Sequence, residues 1–380
     1  MTPSRRSSVR CLMKPLVRFV AVLLLTTAAP AWAQPTVAPA PAHYADVVAE
    51  ARVLAYKQVI EGGVPGLSIA VSVDGETVWS EGFGYADLEQ RVPVWPSTKF
   101  RVGSVSKPLT ATAIAELYAA GHLDVDAPVQ TYVPSFPGKR YPVTTRELGA
   151  HVAGIRHYRG REFLMQKHFA TVNEGLTIFA ADTLLFKPGT RFSYSSYGWN
   201  LISAVVEGAS GEDFLTYMRA HVFQPLGMRH TVADHPDSLI YERTRFYVRD
   251  DEGHLFNAPF VDNSYKWAGG GFLSTPEDLL RFANTVVLGD FLSEKARALL
   301  FTEQKTTAGE GVDYGFGWRL TEDNAGRRVI SHTGGSMGGT TLLTVQPDTG
   351  VVVAAVINLS GADLGPARKV FSMFVEAAAK

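Results

Sequence analysis

Three short segments of the chain carry residues suited to acyl-transfer chemistry. The first is Ser104-Val105-Ser106-Lys107, followed by Pro108 and by Leu109, Ala111, Ala113, Ile114 and Leu117 in a helical run. Proline is tolerated only in a helix's first turn, so the helix is expected to start near Ser104. A hydroxyl there sits beside free backbone N–H groups and the positive end of the helix dipole. A spacing of three puts Lys107 on the same face, where a desolvated, neutral amine can take the proton of Ser104. The second segment is Tyr194-Ser195-Ser196, ahead of a helical run from Leu201. A tyrosine can act as general acid or base when a cation lowers its pKa, and Lys107 is the expected cation. The third is His332-Thr333-Gly334-Gly335, entering an expected strand. Its glycines let a substrate backbone lie against the strand edge, and the N–H of Gly335 can pair with that of Ser104 to hold an oxyanion. Taken singly, each segment also fits a plainer role: a helix cap, a core tyrosine, a glycine-rich turn.

The elements that must position these residues follow from periodicity. Tyr44 to Glu61 reads as a helix, with Val47, Val48, Ala51, Leu54, Ala55 and Val59 apolar. Leu67 to Val73 reads as a strand, Asp74-Gly75 as a hairpin turn and Thr77-Val78-Trp79 as the start of the return strand. The middle is mostly helical, with stretches at Leu109 to Ala120, Leu201 to Glu207, Asp213 to His221 and Pro276 to Val287. Strands return at Phe316 to Leu320, Arg328 to Ser331, Thr340 to Val345 and Val351 to Ile357, and a last helix runs from about Pro366 to Ala379. Strands at both ends and helices between them predict an α/β (α+β) architecture. One antiparallel sheet forms from the N- and C-terminal segments (about 43–103 and 311–380), flanked by helices, with a mostly helical region (about 104–310) inserted.

The order Ser-x-x-Lys, Tyr-x-Ser, His-Thr-Gly resembles the three boxes of serine β-lactamases and penicillin-binding proteins, in the tyrosine version of the class C branch. Val64-Pro65-Gly66-Leu67-Ser68-Ile69-Ala70 is similar to that family's first strand. Gly82 to Asp87 and Phe100-Arg101-Val102-Gly103 are similar to its approach to the nucleophile. His151-Val152-Ala153-Gly154-Ile155 and Gly269-Gly270-Gly271-Phe272-Leu273-Ser274-Thr275 match two later segments. His151 to Tyr158, with the Tyr-Ser-Ser and His-Thr-Gly-Gly boxes, look closest to the mitochondrial serine β-lactamase-like subgroup and its bacterial relatives, whose animal members are regarded as peptidases. The resemblance implies a β-lactamase/transpeptidase-like hydrolase domain over 43–380. Ser104, Lys107 and Tyr194 would be catalytic. Gly335, Ser196, His332, Thr333 and Gly334 would serve the oxyanion and substrate, and no metal or organic cofactor is implied.

Two departures bear on the substrate. Ser196 stands where the family has asparagine, and a hydroxyl reaches less far than an amide. His332 stands where the family has lysine, and neutral histidine is no permanent cation for a carboxylate. Peptide or ester hydrolysis is therefore expected over β-lactam hydrolysis. A true β-lactamase and a non-catalytic peptidoglycan-binding or scaffold relative are the competing readings.

The N-terminus points to export. Arg5, Arg6, Arg10, Lys14 and Arg18 precede an apolar run from Phe19 to Ala33 that ends in Ala31-Trp32-Ala33. This is a signal-peptide pattern over 1–33, too short for a spanning helix. Pro- and Ala-rich residues 34–42 read as a disordered lead-in. Secretion or a periplasmic location is expected, with no transmembrane anchor after cleavage. The sole cysteine, Cys11, lies in the signal, so the mature chain has no disulfide and no thiol chemistry. With 380 residues, 46% hydrophobic, 19% charged and a formal net charge of −1, the composition is globular and offers no basic excess for nucleic acid. The expected partner is a small-molecule, peptide or ester substrate.

Overall fold

Apolar strands from the two ends of the chain meet in one sheet. The computed structural model describes residue 2 and residues 40–380, so the signal expected over 1–33 and most of the lead-in lie outside the described residues. Ala42–Tyr44 forms a 3-10 turn and Ala40 packs against the apolar core, so residues 40–42 of the expected lead-in are structured. In chain order the elements used below are α1 (Ala45–Ile60), β1 (Gly66–Val73), β2 (Glu76–Asp87), β3 (Val92–Pro93), α2 (Ser106–Ala119), α3 (Ser196–Ser210) and the single turn α4 (Trp267–Gly270). They continue with β4 (Arg319–Glu322), β5 (Arg328–Ser336), β6 (Gly339–Gln346), β7 (Val351–Ile357) and α5 (Gly365–Ala378). The sheet runs β3-β2-β1-β7-β6-β5-β4, antiparallel at every pairing.

Both faces of the sheet are covered, which explains the unbroken apolar run Val351 to Ile357. Val351, Val353, Ala355 and Ile357 join Leu67, Ile69 and Val71 under α1 and α5. Val352, Ala354 and Val356 face the helical region, where α2 and α3 contribute Leu109, Ile114, Trp199 and Leu201. Each fully buried valine or leucine contributes about 1.5–3 kcal/mol. No helix among the described residues is long and apolar enough to cross a membrane.

The strand expected at Phe316 to Leu320 lies instead at Arg319–Glu322. Phe316 and Trp318 are bulky enough to read as strand, but they turn into the helical core, where Trp318 stacks on Phe282. Two small ribbons were not anticipated: Phe100–Arg101 with Phe272–Ser274 and Val232–Ala233, and the hairpin Tyr247–Arg249 with Leu255–Asn257. Two or three residues per strand are too few for a periodic signal.

β5 is longer than expected and runs through the glycines to Ser336. Only Arg328–Ser331 pair with β4, so the outer edge from Thr333 to Gly335 has no strand beside it among the described residues. The opposite edge pairs with β6 from Ile330 to Ser336. β5 is also pressed against the segment ahead of Ser104. A Cβ on Gly334 would collide with the Val102 carbonyl oxygen, whereas a Cβ on Gly335 would meet nothing within 4 Å. Gly103, at φ 50°, closes the same contact, since its own Cβ would stand 2.6 Å from the Gly335 carbonyl oxygen.

Gly334→Ala is expected to cost about 1–3 kcal/mol through overpacking. Gly335→Ala is expected to leave stability unchanged. Thermal denaturation of the two variants tests the contact, and equal melting temperatures would contradict it.

Candidate active site

Ser104 sits in the 3-10 turn Gly103–Val105 that opens α2. The turn is anchored on both sides. The Val102 N–H donates to the Phe272 carbonyl at 3.1 Å. Arg101 binds the Asp234 carboxylate at 2.6 Å and donates to the Met337 carbonyl at 2.7 Å, tying the nucleophile's approach to the end of β5. Ser104 itself is half-buried and open to a small cleft of about 70 Å³.

Lys107, one turn on, is fully buried. Its Nζ lies 3.0 Å from Ser104 Oγ and 3.1 Å from Ser196 Oγ, and donates to the Gly269 carbonyl at 2.7 Å. None of these partners is an acid. Burial, reinforced by the like charge of Lys266, holds the amine well below the usual lysine range.

Tyr194 precedes α3, whose N-cap is Ser195. The phenol is in hydrogen-bond reach of Ser104 and Ser196, and the Lys107 amine stands 4.9 Å from its ring centre. Burial pushes this phenol up to about 12, although the hydrogen bonds and the charge of Arg319 work against the rise. The expectation that a Lys107 cation lowers Tyr194 is therefore corrected. Both groups are desolvated, so the lysine is the one that loses its proton and the tyrosine the one that keeps it.

Two histidines hold the start of α3. The Ser195 N–H donates to His151 Nδ1 at 3.0 Å, and the Ser196 N–H donates to His157 Nδ1 at 3.1 Å. These are N-terminal helix donors that would otherwise lack partners. Accepting at Nδ1 fixes each neutral ring with its proton on Nε2. Burial keeps both rings neutral, holding His151 well below its usual value and His157 at about 4. The His151 ring packs on Tyr194 at 4.2 Å between centroids and fixes the tyrosine plane.

Of the residues expected from the sequence, Ser104, Tyr194, Ser196 and Gly335 line the cleft, and Lys107 lies beneath it. His332, Thr333 and Gly334 do not line it. The expectation that the His332 side chain meets substrate is corrected. His332 is buried, its Nδ1 donates to the Thr333 carbonyl at 2.7 Å, and its Nε2 accepts from the Tyr314 hydroxyl at 2.8 Å. Desolvation brings it down to about 3, so it is a neutral strut. Gly334 serves the close approach described above, and Gly335 is exposed with its backbone at the cleft.

Sequence reasoning missed Lys266, His157, Phe163 and the glycines of α4 as cleft lining. It also missed Arg319, exposed beside the site with no carboxylate partner among the described residues. Lys266 adjoins the Gly-Gly-Gly segment that was noted, but nothing in a single sequence marks a lysine as buried. Tyr158 also lines the cleft, whereas Tyr197, Trp199, Tyr265 and Trp267 belong to the core. One group of potential metal ligands, Asp250, Glu252 and His254, crowds an exposed turn and takes no part in the cleft.

Comparison with known proteins identifies the family. A model of the Beta-lactamase family matches residues 35–371. The mitochondrial serine beta-lactamase-like protein LACTB of Homo sapiens is 34% identical over 443 aligned residues, covering 88% of this chain and 80% of that protein. A D-aminopeptidase of Gluconobacter oxydans is 27% identical, covering 72% of this chain and 52% of that protein. Among solved structures, the octameric penicillin-binding protein homologue from Pyrococcus abyssi superposes with a TM-score of 0.74 at 28% identity, covering 87% of this chain and 77% of that one. The chain therefore belongs to the β-lactamase family of serine hydrolases, with relatives among the serine β-lactamase-like and penicillin-binding proteins.

Proposed function

We propose that the protein is an exported peptidase or esterase that works through an acyl-enzyme on Ser104, within a hydrolase domain spanning 43–380. One observation carries the reading: a fully buried amine with no acidic partner lies 3.0 Å from a solvent-reachable serine hydroxyl. A desolvated lysine of this kind is a free base at neutral pH. Lys107 takes the proton of Ser104 as Oγ attacks the substrate carbonyl. The backbone N–H groups of Ser104 and Gly335 hold the developing oxyanion, each worth about 3 kcal/mol. Tyr194, a protonated phenol, donates to the leaving group, and a water deprotonated by the same pair releases the acyl group. The unpaired edge from Thr333 to Gly335 gives an extended substrate a strand to lie against.

Substrate class follows from the cations. With His332 neutral, the charge offered to a substrate carboxylate comes from Arg319, the register partner of Ser331. The D-aminopeptidase relative supports peptide substrates. The pattern of residues 1–33 supports export to the periplasm or beyond.

Ser104→Ala is expected to abolish labelling by a fluorophosphonate probe and to lower kcat/KM on the best peptide or ester substrate by at least about a thousandfold. Its melting temperature should match wild type. Mass spectrometry of intact protein reads the adduct, and a screen of D-Ala-D-Ala peptides, p-nitrophenyl esters, chromogenic peptides and nitrocefin reads the class. Labelling that survives in Ser104→Ala would refute the assignment, and nitrocefin as the fastest substrate would make the protein a β-lactamase.

Lys107 also makes a stability prediction. Unfolded, it binds a proton up to about pH 10.4, whereas the fold denies it that proton. Folding at neutral pH must therefore strip a proton, and this cost disappears as pH rises to about 10.4. Lys107→Met should be inactive yet about 1–2 kcal/mol more stable at pH 7. Calorimetry should find the gap closing by about pH 10.5.

A further inference from the structure

Lys266 is a second buried lysine at the same cleft. Only 2% of it is exposed, yet it lines the cleft beside Ser104. It sits at the N-cap of α4, the turn whose Gly269 carbonyl receives the Lys107 amine, so one short turn joins the two lysines. Its own Nζ has no hydrogen bond or ion pair among the described residues. It rests instead against the rings of Phe163, Tyr265 and Tyr158, at 4.4, 5.2 and 6.0 Å from their centres.

The acids on neighbouring segments are committed elsewhere. Asp234 is held by Arg101 at 2.6 Å, by Asn263 at 2.8 Å and by Arg243 at 3.4 Å. Glu162 is held by Arg156 at 2.6 Å and by the Tyr197 hydroxyl at 2.9 Å. Asp262 faces His168 at 3.0 Å and the Ser264 N–H at 2.8 Å. Among the described residues, Lys107 Nζ bonds the Ser104 and Ser196 hydroxyls and the Gly269 carbonyl, with the Tyr194 phenol and the rings of His151, His157 and His332 near by. Two amines thus share one desolvated pocket with no free carboxylate, and a pocket of that kind holds one positive charge far more readily than two. Three aromatic faces at Lys266, against the single Tyr194 face at Lys107, favour the charge on Lys266. Hydroxyls and a carbonyl, which serve a neutral amine as well as a charged one, surround Lys107.

We propose that Lys266 is a positioning residue for catalysis: it carries the pocket's one positive charge and so keeps Lys107 unprotonated and ready to accept the proton of Ser104. The inference rests on the reading of Ser104 and Lys107 as nucleophile and base. Lys266 itself is brought down to about 7, first by burial and then by Arg101, with Asp234 opposing. Its influence is therefore felt below neutral pH, where it is charged, and fades above it.

The test measures the rate of Ser104 labelling by a fluorophosphonate from pH 5 to pH 9 in wild type, Lys266→Met and Lys266→Arg. In Lys266→Met the acid limb should move up by about one pH unit, so that labelling at a given pH on that limb falls about tenfold while the rate at pH 9 is unchanged. In Lys266→Arg, a permanent cation, the limb should stand no higher than in wild type. A purely structural role predicts an equal loss at every pH and no rescue by arginine. Wild-type protein that takes no label at any pH would sink the active-site reading itself. Label whose pH profile is the same in wild type and Lys266→Met, or is lowered uniformly, would overturn this inference alone.

Discussion

An amine buried without an acid is the constraint around which this molecule is arranged. Lys107 has hydroxyls and a carbonyl for partners and no carboxylate, so the fold gives its ammonium form nothing in return for lost water. A salt bridge here would add Coulomb attraction and hold the amine protonated. The surroundings respect that exclusion. Arg101, Arg156 and Arg243 occupy the carboxylates of the neighbouring segments, at Asp234, Glu162 and Asp182, and keep them from the cleft. Ion pairs that look like ordinary scaffolding thus have an electrostatic consequence one layer inward.

The same economy governs the backbone. β5 lies close enough to the Ser104 turn that no side chain fits at Gly334, which sets the backbone of Gly334 and Gly335 against the backbone of Val102 to Ser104. Arg101 reinforces the contact by reaching from the nucleophile's approach to the Met337 carbonyl just beyond β5. β4 stops at the register of Ser331, leaving the next residues of β5 as an unpaired edge. An edge is a hazard in most sheets, but this one is short, and Gly335 at its end lines the same cleft as Ser104.

Much of this was legible in the sequence for physical reasons. Ser104 and Lys107 share a helix face because their spacing is three and Pro108 fixes the helix start. β1 and β7 declare themselves because both faces are buried and the apolar run is continuous. Gly334 and Gly335 mark a close approach. What stayed hidden depends on contacts between residues far apart in the chain. His151 and Ser195 are 44 positions apart, and His157 and Ser196 are 39, so no local pattern shows that two imidazoles cap α3. Phe316 and Trp318 looked like strand because size and aromaticity serve a sheet and a helical core equally. Lys266 looked like a solvated lysine, and only the rings of Phe163, Tyr158 and Tyr265, from two other segments and its own neighbour, reveal it as buried.

Charge state was the least legible property, and it gives the departure at 332 a meaning beyond a missing lysine. Lys107 and Lys266 already place two amines around the cleft, and Arg319 stands at its margin. A lysine at 332 would sit in the buried slot where His332 now bonds the Tyr314 hydroxyl at 2.8 Å and the Thr333 carbonyl at 2.7 Å. It would add a third amine to a region whose free carboxylates are already taken, at a cost of about 4 kcal/mol for each like charge brought within 4 Å at an effective dielectric of 20. A neutral histidine fills the slot, satisfies both neighbours and leaves the proton balance around Lys107 undisturbed. With histidine neutral at 332, Lys266 on the segment ahead of α4 is the buried lysine that lines the cleft, and the strand itself brings no charge there.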